Sequence, residues 1–275
     1  MSEPVLTEAA LLELLTRPSS ALVEFIARVS SPLVVLGAGG KMGPTLCVLA
    51  RRAAEAAGHS LEVIAVSRFS DPASRRWLET AGVKVISADL LEREAMRSLP
   101  DADNVIYLLG LKFGTSQNPA LTWAVNTLPP AHVAERYPRA RIVALSTGNV
   151  YPFVPVTEGG AREADPLTPV GEYPNAAIAR ERIFEYFSAK QGTPVALLRL
   201  SFAVELRYGV LVDIGRRVWE ERPIDLVNGT VNWIWQGDAN DLILRALPLA
   251  SSPAEAWNLT HPQPLRVREV ATQFG

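Results

Sequence analysis

VVLGAGGKMG, residues 34–43, sets four glycines within seven positions, directly after a run of branched apolar residues and just before a helical pattern. Gly37, Gly40 and Gly43 stand three apart, with Gly39 between the first two and Lys41 and Met42 before the last. A backbone that must approach a pyrophosphate closely can carry no Cβ there, and the N-terminus of the following helix favours negative charge. On that reading Gly37 makes the turn, Gly40 admits the phosphate, and Gly43 lets the helix pack tightly on the sheet. Glycines also make loops that bind nothing. The order strand, glycines, helix, second strand favours a dinucleotide cradle.

Outward from this turn the chain keeps one rhythm. Strands are expected at 33–37, 61–67, 83–89, 104–110, 141–147 and 194–200. Between them lie helical patterns at 44–57, 71–82, 92–99, 119–137 and 175–190, the first ended by Gly58 and the second opened by Pro72. Strands that are apolar throughout, not alternating, belong to a parallel sheet covered on both faces. Their alternation with helices predicts an α/β fold, a doubly wound parallel sheet of the Rossmann kind. Residues 1–30 read as an N-terminal helical extension broken near Pro18, and residues 31–200 as the dinucleotide-binding domain. Past residue 200 the rhythm fails, and aromatics and prolines increase. A smaller irregular substrate-binding region is therefore expected over 201–275, partly returning to the Rossmann domain. The sequence ends within a helical pattern, which leaves room for a further C-terminal part.

Composition narrows the function classes. Of 275 residues, 48% are apolar and 20% charged, as in a soluble protein with a real core. A net charge of −2, from 27 basic and 29 acidic residues with no basic block, argues against nucleic acid or an anionic membrane as a partner. Cys47 is the single cysteine, which excludes an internal disulfide and a cysteine-based metal cluster, and its place on the apolar side of a helix predicts a buried structural thiol. The three histidines, His59, His132 and His261, show no ligand spacing, so no metal is expected. No apolar run approaches a membrane span and no signal peptide is evident, so the expected location is cytoplasmic.

The loop spacing G-x-x-G-x-x-G resembles that of the short-chain dehydrogenase/reductase superfamily, in its extended branch, the NAD-dependent epimerase/dehydratase family. Further segments resemble it in the same order. "ADL" carries Asp89 and Leu90, "YLLG" carries Leu109 and Gly110, and "WAVN" carries Asn126. "STGNVY" (146–151) resembles the S-S-x-x-V-Y segment, and Tyr173, 26 residues beyond Thr147, begins a helix resembling the Y-x-x-x-K helix, with Glu181 where that helix often has a glutamate. The resemblance covers roughly residues 32–270. It implies that Asp89 bonds the adenine and that Leu109, Gly110 and Asn126 line the cofactor. It further implies that Thr147 holds the substrate oxygen and that Tyr173 transfers a proton to or from it. A nicotinamide cofactor, a sugar or sugar-nucleotide substrate, and a homodimer built on the helices near 119–137 and 173–190 follow as implications. In the second helix Ile178, Ile183, Phe184 and Phe187 would supply the apolar surface.

Two places depart from the simplest pattern. The second strand ends in Ser67 and Arg68, with no carboxylate to accept from a ribose 2′-OH. An arginine there would clamp a 2′-phosphate, and Lys41 in the glycine loop would assist, so NADP is the expected cofactor and NAD the alternative. Four residues beyond Tyr173 stands Ala177, not the lysine that the family uses to acidify the tyrosine and hold the nicotinamide ribose. A phenol of ordinary pKa, about 10, is only ~0.1% ionised at pH 7. Arg180 shares the helix face but lies about 10 Å further along the axis, a doubtful substitute, and Lys112 would have to reach in from a loop. Arg199 and Arg207 are candidates for a substrate phosphate or carboxylate, and Trp233 or Trp235 for stacking on a sugar ring. Two readings stand: an oxidoreductase, epimerase or dehydratase, and a cofactor-binding sensor that has lost turnover.

Overall fold

Pro18 divides the N-terminal segment, and a hydroxyl caps each half. Thr7 accepts from the Ala10 N–H to open α1 (Glu8–Leu15), and Ser19 accepts from the Leu22 N–H to open α2 (Ser20–Ile26). The computed structural model describes residues 4–275 apart from 113, 115 and 116. After α2 the chain runs through β1 (Leu33–Leu36), α3 (Gly43–Ala56), β2 (Val63–Ser67), α4 (Pro72–Thr80), β3 (Lys84–Ser87), α5 (Arg93–Arg97) and β4 (Asn104–Tyr107). It continues through α6 (Pro119–Arg136), β5 (Arg141–Thr147), α7 (Glu172–Gln191) and β6 (Val195–Leu200). The remainder holds β7 (Phe202–Val204), α8 (Val210–Trp219), β8 (Thr230–Val231), β9 (Trp233–Trp235), α9 (Gln236–Arg245), β10 (Glu255–Leu259), β11 (Leu265–Arg266) and α10 (Val267–Phe274).

Seven strands form one sheet in the order β3-β2-β1-β4-β5-β6-β10, every pairing parallel. β1 and β4 are buried at every position, as a sheet covered on both faces requires. Alternate residues serve opposite layers. Leu33 and Val35 cluster with α2, α3 and α9, whereas Val34 and Leu36 cluster with Met96 of α5, Val133 of α6 and Phe184 of α7. The doubly wound sheet expected from the strand pattern is the one observed. β3, at the edge, is shorter and more exposed than its apolar reading suggested, since an edge strand has a neighbour on one side only.

Past residue 200 the chain does two things. β10 adds the seventh strand beside β6, and α9 packs on α3, so this stretch returns to the sheet. The rest is small: the pairs β7–β9 and β8–β11, with α8 and α10 closing a separate cluster around Ile214, Val267 and Val270. The N-terminal helices dock on the same layer as α9. Leu22 and Ile26 enter the main core, Arg52 binds Glu13 at 2.5 Å, and Ser19 bonds Asp241 at 2.5 Å. Among the described residues no helix is long and apolar enough to cross a membrane.

Candidate active site

In a doubly wound sheet a ligand crevice forms outside the carboxyl ends of the strands where the order reverses, here between β1 and β4. The glycine loop sits there. Gly37 leaves β1 with φ +82°, and a Cβ on it would come within 2.7 Å of the Leu109 nitrogen. A Cβ on Gly39 would come within 2.7 Å of Ser67 Oγ, and one on Gly43 within 2.6 Å of the Ala38 backbone. Gly43 therefore serves the approach of α3 to its own loop rather than to the sheet. Gly40 differs from all three: a Cβ there would meet only the Gly37 carbonyl, at an ordinary 3.5 Å. The chain's own backbone demands glycine at 37 and 43 and Ser67 crowds position 39, whereas Gly40 has ordinary room within the chain. α3 opens on Met42 with no side-chain cap and with Pro44 in its first turn, so its remaining first-turn N–H groups are left for an anion.

The crevice over this loop is lined by Gly37, Gly39 and Gly40, by Ser67 and Arg68 after β2, by Asp89 and Leu90 after β3, and by Leu109 and Gly110 after β4. Residues distant in sequence thus meet at one surface. Arg68 faces Asp89 at 3.8 Å, with side chains 74% and 40% exposed, while Asp89 Oδ1 also accepts from the Leu91 N–H. The other expected cofactor residues stand outside this lining. The Lys41 ammonium lies 4.3 Å above the Tyr208 ring, Met42 packs on the core, and Asn126 is fully buried behind the β4 end. The glycine cradle, its open helix terminus and the crevice together fit a dinucleotide.

On the far side of the crevice α7 packs against β5 and the short turn 148–150 that follows it. Thr147 ends β5 almost fully buried, and its hydroxyl oxygen accepts from the Asn149 N–H at 3.2 Å. Tyr173 lies half-buried in the first turn of α7. Ala177, one turn on, is fully buried. The next turn carries Arg180, 3% exposed, whose Nη1 donates to the Leu109 carbonyl at 3.2 Å and to Asn126 Oδ1 at 3.1 Å. Arg180 does reach the crevice wall. Side chains on a helix lean towards its N-terminus, so the axial offset between residues overstates the distance a long side chain must cover.

Glu181 turns the other way and binds Arg199, with both side chains at most 4% exposed. Arg199 Nε and Nη2 reach its two oxygens, and Ser146 donates to the same carboxylate. Arg199 Nη1 also donates to the Tyr151 hydroxyl at 2.8 Å. Burial opposes the charged guanidinium, but the Glu181 carboxylate outweighs it and raises the Arg199 pKa. Arg199 is committed inside the chain, which removes it as a substrate ligand. Arg207 is committed as well: it binds Glu205 at 2.9 Å and Glu8 of α1 at 2.9 Å, tying down the N-terminal helix. The Trp233 ring stacks on His261 at 4.7 Å, and Lys112 lies 5.1 Å from the Phe202 ring, outside the β1–β4 crevice. Phe184, expected on an outer surface, is fully buried edge-on to Tyr107. Cys47 is buried as expected, and burial pushes its thiol pKa up.

The model of the NAD dependent epimerase/dehydratase family matches residues 33–259. The chain belongs to that family. It is an enzyme of the NAD-dependent epimerase/dehydratase type. No curated protein sequence matches the chain. Solved structures do. The dTDP-glucose 4,6-dehydratase of Bacillus anthracis, in complex with NAD, aligns with a TM-score of 0.74 at 16% identity over 89% of this chain and 80% of that one. WbmG of Bordetella bronchiseptica, in complex with NAD, gives 0.71 at 18% over 90% and 78%. The UDP-glucose 4-epimerase of Thermotoga maritima, with UDP-glucose, gives 0.66 at 17% over 88% and 81%. At such identities these likenesses show the fold.

Proposed function

We propose that this epimerase/dehydratase-family enzyme binds NADP in the β1–β4 crevice and acts on a sugar or sugar-nucleotide-like substrate, with residues 201–275 forming the substrate side. The observation that carries the reading is the glycine cradle, in which Gly40 is the glycine that the chain's own packing leaves uncrowded. The loop and the α3 terminus would hold the pyrophosphate, and Ser67, Arg68, Asp89 and Leu90 the adenosine half. A surface pair such as Arg68–Asp89 is worth about 0–1 kcal/mol, so Arg68 can turn to a 2′-phosphate at little cost. When bound, the nicotinamide supplies the acceptor or donor of a hydride. Thr147 would hold the substrate oxygen, and Tyr173 would give it a proton or take one from it. Without a lysine at position 177 the donating role is the easier one, which favours the reductive direction.

The test is reduction of sugar-nucleotide ketones, followed through NADPH absorbance. Turnover that falls by about 10²-fold or more in Tyr173→Phe supports the enzyme reading. Tight NADPH binding with no turnover on any such substrate would overturn the sugar-nucleotide reading of the substrate side. Leu121, Trp123 and Leu128 on α6 and Tyr186 on α7 are exposed apolar residues of a packed helix pair, which supports a homodimer through these helices. Light scattering that gives a monomer at micromolar concentration would overturn the dimer. With its single reduced-type cysteine the protein suits the cytoplasm, a point that fractionation of the source cells checks.

A further inference from the structure

Two buried guanidinium groups stand on the two sides of α7, and the chain treats them differently. Arg199, 4% exposed, receives a carboxylate through three hydrogen bonds from Nε and Nη2. Arg180, 3% exposed, receives none: its partners among the described residues are the Leu109 carbonyl and Asn126 Oδ1, and its buried Nε has no partner. A buried cation without a counter-charge is expensive, and a donor left unmade adds to the cost. Such a cost persists in a fold where something outside the chain relieves it.

The surroundings say what that is. Leu109 and Gly110 line the crevice, and a Cβ on Gly110 would come within 2.5 Å of Arg180 Nη1. The bare backbone at Gly110 is the room that the guanidinium occupies at the crevice wall. Asn126 fixes it there, donating from Nδ2 to the Leu111 and Thr122 carbonyls and keeping Oδ1 towards Arg180. The glycine loop marks the centre of the crevice, and the ends of β2 and β3 mark its adenosine side. The β4 end, behind which the Arg180 guanidinium is held, therefore faces the opposite half of a bound dinucleotide.

We propose that Arg180 is a cofactor-binding residue, its remaining N–H groups donating to the ribose oxygens on the nicotinamide side of the dinucleotide. This rests on the dinucleotide reading of the crevice. Of the two tasks that the resemblance gives to the absent lysine, Arg180 takes the binding one.

The experiment is calorimetric titration of the wild type, Arg180→Gln and Arg180→Lys with NADP, NAD and ADP. ADP carries the adenosine and pyrophosphate but lacks the second ribose. Arg180→Gln should weaken the preferred dinucleotide about tenfold or more, the value of a charge-assisted hydrogen bond, and leave ADP affinity within roughly twofold. Arg180→Lys keeps the charge without the fork and should fall between wild type and Arg180→Gln. It also tests the proposal should the glutamine variant fail to fold. Equal losses for dinucleotide and ADP, or no loss for either, would overturn the role of Arg180 while leaving the crevice reading intact. A wild type that binds neither dinucleotide nor ADP would overturn both.

Discussion

The glycine loop and the α7 flank face each other across one crevice, yet they are built on opposite principles. The loop is local: Gly37, Gly39, Gly40 and Gly43 lie within seven residues, and their work is to omit side chains. The α7 flank is assembled from afar. Arg180 meets Leu109 and Asn126, 71 and 54 positions away in sequence, and Glu181 meets Arg199 18 positions away. The loop is specified by an absence of atoms. The flank is specified by charges that must find partners in a low-dielectric interior. Errors in the two regions should therefore have different sizes and signatures.

The largest effect is expected on the flank. Glu181→Ala strips the carboxylate from a guanidinium that is 4% exposed, and breaking a buried pair from one side costs about 3–5 kcal/mol. Chemical denaturation measures it, and a loss below about 1 kcal/mol, the scale of an exposed pair, would erase the contrast between the two regions. A smaller effect belongs to the loop. Gly37→Ala forces a Cβ into a left-handed residue at φ +82° and towards the Leu109 nitrogen, a strain of about 1–3 kcal/mol. The same denaturation curve reads it, and an unchanged midpoint would mean that the turn tolerates a side chain.

Legibility in the sequence followed the same division. The sequence reads β5 to the residue and β1, β2 and β6 to within two, because a buried parallel strand is a continuous apolar run that needs no knowledge of its neighbours. β3 and β4 are each three residues shorter than expected. β10 was missed, since Glu255 and Asn258 break the run in a strand at the sheet edge. The glycine cradle was readable because its geometry is written within one turn. Axial distance alone makes Arg180 a doubtful partner for this crevice, whereas the structure carries its guanidinium to the Leu109 carbonyl. The helical spacing 173, 177, 180 already put it on the right face, and the lean of helical side chains was the missing step. Arg199 and Arg207 were misread for a different reason. A buried arginine and a ligand-binding arginine look alike in sequence, and only the partners, Glu181, Glu205 and Glu8, distinguish them.

The central claim is that the glycine cradle holds a dinucleotide, and Gly40 is where it is most exposed to refutation. A methyl group there makes only an ordinary contact with the chain, so Gly40→Ala should fold with wild-type stability. The same methyl would stand between the backbone and a pyrophosphate. Titration of wild type and Gly40→Ala with NADPH, followed by nicotinamide fluorescence, is the direct measurement. The account predicts saturable binding to the wild type and a loss of about tenfold or more in the variant, with the unfolding midpoint unchanged. Equal affinities in the two proteins would contradict it.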